Sequence, residues 1–283
     1  MNLPNLVVIG AMKCGTSSLH RYLSHHPEIF MSRKKELCFF AERWDLGLDW
    51  YREQFSEPAP VRGESSPNYS KYPAFPGVPE RMHGVLGDDV KLVYVVRDPV
   101  DRIVSHYVDA YSHGRERRSL DDALGELEDN NLVNCSRYAM QLEQYLPFFP
   151  MSRIHVVTAE DLSERRRETL AGIFRFLGVD DSFWCPEHEE VVNRASERRR
   201  RNVAGNVAAR VAGRLNPVGL AVQIEPDRRR SGRLVRTYVS LTSRKIERPE
   251  LSESRRRELV EFLGDDVARL RGLTGLGFET WLT

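Results

Sequence analysis

The sequence predicts an α/β protein: a central parallel sheet with helices on both faces, in a single domain spanning 1–283. Two observations carry that prediction. Residues 5–9, 91–97 and 154–158 are continuous apolar, β-branched runs, as in strands buried on both faces. Each run is followed by a helix-compatible stretch, the order that parallel pairing requires. A chain of 283 residues is also long enough to bury one large core.

The elements follow in order. The first strand, 5–9, runs into Gly10-Ala-Met-Lys-Cys-Gly-Thr-Ser-Ser-Leu19, and a helix then continues to His26, where Pro27 stops it. Residues 49–55 read as a short helix, and 61–64 as a short strand into a turn at Ser66-Pro67-Asn68. After the strand at 91–97, Pro99 suits the first turn of a helix toward Tyr111. After 154–158 comes an acidic Ala159-Glu-Asp and a helix over 163–177, capped by Gly178. Between 195 and 250 the pattern weakens, with arginine runs at 198–201 and 228–230, and an irregular or mobile insert is expected. Order returns near the end, where Leu259, Leu263, Val267 and Leu270 share a helical face.

Composition narrows the function. Lys+Arg number 42 against 41 Asp+Glu, a net charge of +1, which excludes a surface built throughout for nucleic acid. No apolar run is long enough for a membrane span, and 6–9 is too short for a signal-peptide core, so a cytoplasmic location is expected. Cys14, Cys38, Cys135 and Cys185 are widely spaced, without metal-site spacing, and free thiols are expected over a Cys135–Cys185 bridge. Only six of the cations are lysines, so Lys13 between two loop glycines stands out.

Strand, glycine loop and helix N-terminus together make a phosphate cradle, and the sheet P-loop-like. The spacing Gly10-x-x-x-x-Gly15-Thr16 is that of a Walker A loop, but Thr16 stands where an NTPase needs lysine, and the lysine sits at 13. Asp98 at the end of 91–97 reads as a Walker B acid only if Arg97 tolerates a metal beside it. Arg97 serves better as an anion clamp, with Ser105 under two helical turns beyond Pro99.

These residues resemble a family. Residues 10–19 are similar to the 5′-phosphosulfate loop of sulfotransferases that use 3′-phosphoadenosine 5′-phosphosulfate (PAPS). Val95-Val-Arg-Asp-Pro-Val-Asp-Arg-Ile-Val-Ser105-His-Tyr107 resembles their 3′-phosphate segment. Lys34-Lys-Glu-Leu-Cys-Phe-Phe40, Leu48-Asp-Trp-Tyr51, Gly63-Glu-Ser-Ser-Pro-Asn-Tyr69 and Ser136-Arg-Tyr138 resemble the heparan-sulfate-type (N-/3-O-) branch, as does the ending from Asp265 to Trp281. The resemblance implies PAPS as donor, its desulfated form PAP as product, no metal, and in-line transfer to a carbohydrate, lipid or other small-molecule acceptor.

It also implies roles. Lys13 and Glu36 would be catalytic, Glu36 as the base of a Lys-Glu-x-x-Phe-Phe motif. Lys13, Cys14, Gly15, Thr16, Ser17, Ser18, Arg97 and Ser105 would hold the cofactor, with Arg200 and Arg201 covering its 3′-phosphate, unless 198–201 is simply a solvated run. Lys35, Tyr69 and Tyr138 would meet the acceptor, although both tyrosines read equally well as core aromatics, and Glu36 as a surface acid paired with Lys34 or Lys35. Many 3-O-sulfating relatives carry histidine where this chain has Cys38, aspartate at Ala41, and often lysine at Ser65, so the acceptor stays open. Histidines 20, 25, 26, 106 and 113 read as packing or capping residues. The alternatives are a P-loop nucleotide kinase or NTPase, and a non-enzymatic polyanion-binding protein. Oligomeric state is not legible.

Overall fold

The structure, a computed structural model, describes residues 3–190, 199–201, 241 and 243–282. Five strands form one sheet in the order β2-β3-β1-β4-β5: β1 Leu6–Gly10, β2 Ile29–Met31, β3 Val61–Ser65, β4 Lys91–Val96 and β5 Ile154–Thr158. Every pairing is parallel. All five residues of β1 are buried, as are five of the six in β4, which explains why these central strands read as unbroken apolar runs. The α/β class is as the sequence predicts. Strand β2, only three residues long, lies in a run too short to show a period.

The helices joining the strands are α1 Thr16–Ser24, α2 Phe39–Glu42, α3 Gly47–Glu53, α4 Val78–Leu86, α5 Pro99–Ser112, α6 Leu120–Leu124, α7 Asn131–Asn134, α8 Tyr138–Glu143, α9 Ala159–Glu164, α10 Arg166–Leu177 and α11 Glu253–Thr274. The helix expected over 163–177 is two helices broken at Arg165, whose φ of -120° and ψ of 43° leave the helical region; α9 starts earlier, where Thr158 caps it by accepting from Asp161 N. Gly178 ends α10 at φ 81°, the left-handed cap expected of it. On α11, Leu259, Leu263, Val267 and Leu270 are all buried, and Asp266 beside them accepts from Ala139 N (2.9 Å) and Met140 N (3.0 Å), capping α8.

The chain separates into two compact units: 1–103 with 124–192 and 252–283, and 104–123 with 193–251. The first holds the five-stranded sheet and its core. Within the second, Tyr107 donates to Arg118 O (2.7 Å) and Arg115 pairs with Asp109 (2.6 Å). Also there, β6 Arg199–Arg201 and β7 Ser243–Lys245 pair as an antiparallel ribbon, so part of the stretch expected to be irregular is strand. The rest of the 195–250 insert, apart from Leu241 and residues 246–250, lies outside the described residues, as do Arg198 and the run at 228–230.

Candidate functional site

The centre of the sheet ends in the loop 10–15. β1 is the middle strand, so its carboxyl end opens where the chain must leave the sheet for α1. Two glycines make that exit possible. A Cβ on Gly10 (φ 153°) would stand 1.9 Å from Ser70 Oγ and 3.3 Å from the Tyr94 ring. Gly15 (φ 93°) forms the N-cap of α1 in a conformation that side chains disfavour, and no side chain caps that helix. The first-turn N–H groups of α1 therefore face the loop's open side with the helix's positive end behind them. This is a fit for a phosphate.

The rest of the loop is fixed from inside. Ala11 N donates to Val95 O (2.6 Å) and Cys14 N to Ala11 O (3.2 Å). Cys14 is buried, its thiol 3.6 Å from the Tyr138 hydroxyl, and burial pushes that thiol up to about 11. A group protonated up to that pH is neither nucleophile nor ligand at neutral pH. With its N–H spent on Ala11 and its thiol in the core, Cys14 supports the loop rather than lining it. Lys13, at φ 73°, and the half-buried Ser17 and Ser18 follow the loop's outer path, whereas Thr16 is buried.

At the end of β4, Arg97 is half-buried and its guanidinium reaches Asp101 (2.7 Å). Asp98 accepts from Asp101 N at one carboxylate oxygen and from Leu282 N at the other, each at 2.9 Å. Both oxygens thus serve the backbone, one capping α5 and one holding the C-terminal segment. Ser105 is half-buried on α5.

A second cluster borders the first. Glu36 (φ 64°) and Cys38 (φ 53°) both adopt left-handed backbone, which costs on the order of 1–3 kcal/mol each. The strain turns Leu37 fully inward while leaving the Glu36 side chain 54% exposed. Burial of Leu37, Phe39 and Phe40 offsets it. Lys35 Nζ anchors the Glu36 carboxylate at 2.6 Å, and Arg43 closes the turn by donating to the carbonyls of Glu36 (3.2 Å) and Leu37 (2.8 Å). Glu36 is thus both the exposed acid of its motif and the ion-pair partner of Lys35.

The sequence reading missed a buried carboxylate behind this turn. Glu64, fully buried, accepts from the hydroxyls of Tyr51 and Tyr69 (2.7 Å each) and Ser66 (2.6 Å), and Ser66 Oγ in turn accepts from Cys38 N. Burial raises its pKa against the pull of the three hydroxyls. A glutamate inside a strand run, flanked by tyrosines at 51 and 69, was the available signal. Tyr69 is 2% exposed and Tyr138 is fully buried, so their hydroxyls serve internal hydrogen bonds: Tyr69 on Glu64, Tyr138 against Cys14 and Arg97 N. Both take the core-aromatic reading at their hydroxyl ends. Arg200 and Arg201 lie on β6, in the second unit. All four cysteines are free, and among the described residues no three His, Cys, Asp or Glu are grouped to hold a metal.

A family model described as the sulfotransferase domain matches residues 3–204, most of the chain. The chain belongs to the sulfotransferase family. Among curated sulfotransferases, human heparan sulfate glucosamine 3-O-sulfotransferase 5 is 30% identical over 192 residues, covering 62% of this chain and 54% of the relative. The Drosophila melanogaster bifunctional heparan sulfate N-deacetylase/N-sulfotransferase is 29% identical over 212 residues, 63% of this chain and 20% of its own length. The chain therefore spans about half the length of the first of these relatives and a fifth of the second. The crystal structure of a sulfotransferase from Alicyclobacillus acidocaldarius matches the whole of both chains at 25% identity with a TM-score of 0.70. The heparan-sulfate-type relatives agree with the branch that the motifs resemble. Within the sulfotransferase fold the 10–15 loop and the Arg97 segment sit at the carboxyl ends of adjacent strands β1 and β4.

Proposed function

We propose that this chain transfers a sulfuryl group from PAPS to a hydroxyl or amine of a carbohydrate, lipid or other small-molecule acceptor. The observation that carries the reading is the loop itself: a cradle opened by Gly10 and Gly15 at an uncapped helix N-terminus, with its lysine at 13. The N–H groups of residues 15–18 and the hydroxyls of Thr16 and Ser17 would hold the 5′-phosphate. Arg97 would take the 3′-phosphate and so discriminate against ATP, which lacks it. Bound PAPS supplies the activated sulfuryl group. Lys13 would neutralise charge that develops on the departing phosphate oxygen, and Glu36 would take the acceptor's proton. The Lys35 ion pair holds Glu36 in place for that work, at the cost of an exposed contact worth little stability.

Heparan-type relatives and a glycan acceptor go together in this reading, but Cys38, Ala41 and Ser65 replace the residues that many 3-O-sulfating relatives carry. A cytoplasmic location belongs to the same proposal, supported by four unpaired thiols. The test is transfer of labelled sulfate from PAPS to a panel of glycans, lipid alcohols and phenols. Label moved by the wild-type protein and not by Lys13→Ala is the expected result. No transfer to any acceptor, with PAPS left intact, would count against the proposal.

A further inference from the structure

Two buried side chains tie the loop to the Arg97 segment. Arg102 on α5 is fully buried. Its guanidinium donates to Met12 O in the loop (3.4 Å), to Leu132 O on α7, and to Ser136 Oγ. Ser136 passes the connection on by donating to Pro99 O (3.0 Å), the first residue of α5. Two residues further, the Tyr138 hydroxyl accepts from Arg97 N (3.3 Å) and lies 3.6 Å from Cys14 Sγ. The segment 132–138 is therefore laced at two levels between the same two elements: Met12 and Cys14 on one side, Arg97 and Pro99 on the other.

From this lacing we infer that Arg102 and Tyr138 are positioning residues that set the spacing between the two phosphate-binding halves of the donor site. The inference rests on the PAPS reading above. A ligand carrying both phosphates gains from the second only if the halves stand at the right separation, because the gain comes from effective concentration and vanishes when the geometry drifts. A buried arginine fork suits the task, since its rigid plane holds several acceptors in one fixed geometry, whereas a lysine offers a point charge on a flexible stem. The tyrosine adds a second tie at a different height, which resists tilting as well as translation. The arrangement also gives Tyr138 a role on the donor side, away from the acceptor.

Three ligands separate spacing from general stability: PAP, with both phosphates; adenosine 5′-monophosphate, with one; and adenosine 3′-monophosphate, with the other. Affinities are measured by isothermal titration, or by competition for the weaker two, on wild type, Tyr138→Phe and Arg102→Lys. Circular dichroism checks that each variant is folded. Removing one buried tie should weaken PAP by about tenfold or more, while each monophosphate changes by about twofold or less. The spacing role stands if the PAP loss exceeds the product of the two monophosphate losses, and is overturned if it equals or falls below that product. Tyr138→Phe keeps the ring and carries the test if Arg102→Lys does not fold. Wild type that binds no PAP defeats the donor reading itself, whereas wild type that binds PAP alongside variants that lose nothing defeats only the spacing role.

Discussion

The loop at the end of β1 and the turn that carries Glu36 do neighbouring jobs with opposite materials. The loop is built from backbone: Gly10 with no room for a Cβ, Gly15 in left-handed backbone, N–H groups at a helix start, and buried partners behind them. The Glu36 turn presents side chains, with the carboxylate more than half exposed and held by one lysine. Backbone recognition is constrained by packing, so the chain has few ways to vary it. Exposed side chains can be exchanged without disturbing the core. Cys38 and Ser65 stand on the packed side of that division, 4% exposed and fully buried behind the turn, whereas Glu36 stands on the exposed side.

The sharpest way to break the comparison is to remove one group from each side. Glu36→Gln should lower the transfer rate by about 10²–10⁴-fold while PAP affinity stays within about twofold. Lys13→Ala should lower the rate by about 10²–10³-fold and weaken PAP as well. A Glu36→Gln variant with normal turnover would take Glu36 out of the reaction.

Next in size is the glycine wall. Gly10→Ala forces a methyl group against Ser70 Oγ and should cost roughly 1–3 kcal/mol of stability together with most PAP binding. Adding Ser70→Ala should restore part of both, since the hydroxyl is the nearest obstacle. Thermal melts with and without PAP measure the effect, and no change in Gly10→Ala would show that the loop yields freely.

Glu64→Gln sharpens the same contrast from the acceptor side. An amide cannot accept from three hydroxyls as a carboxylate does, so a loss of roughly 1–3 kcal/mol in unfolding free energy is expected. Denaturant titration would show it as a lower midpoint at unchanged slope.

The smallest effect is a pH dependence at α1. Burial, and then the charge of Lys35, lower His20 to about 4 from an ordinary 6.5. The unfolded chain therefore binds this proton first as pH falls. The stability that His20 contributes is whole above 6.5 and is lost as pH drops toward 4. His20→Gln should flatten the fall in melting temperature across that window, and an identical slope in both proteins would contradict the assignment.

How much was legible in the sequence follows the same division. β1 and β4 announced themselves because both faces are buried, edge strand β5 by its apolar run although three of its five residues are only half-buried, and the loop because glycine and lysine stand at telling positions. The resemblance supplied Glu36. What stayed hidden depends on partners distant in sequence. Arg102 reads as one more surface arginine until Met12, Leu132 and Ser136 surround it, and Asp98, a poor metal ligand beside Arg97, shows its structural role only when Leu282 arrives from the far end of the chain. Glu64 sat inside a strand run whose tyrosine donors come from helix α3 and from the turn after β3. Tyr69 and Tyr138 were undecidable because burial is a property of the fold, not of the residue.

The central claim is that the loop and the Arg97 segment form a donor site for a nucleotide phosphorylated at both ends of its ribose. Isothermal titration with PAP in the presence of a chelator, set against ATP with magnesium, tests it directly. The account predicts metal-independent PAP binding at least about a hundredfold tighter than ATP–magnesium, a gap of some 2.7 kcal/mol for the second phosphate contact. Binding of ATP–magnesium with no measurable PAP binding would contradict it.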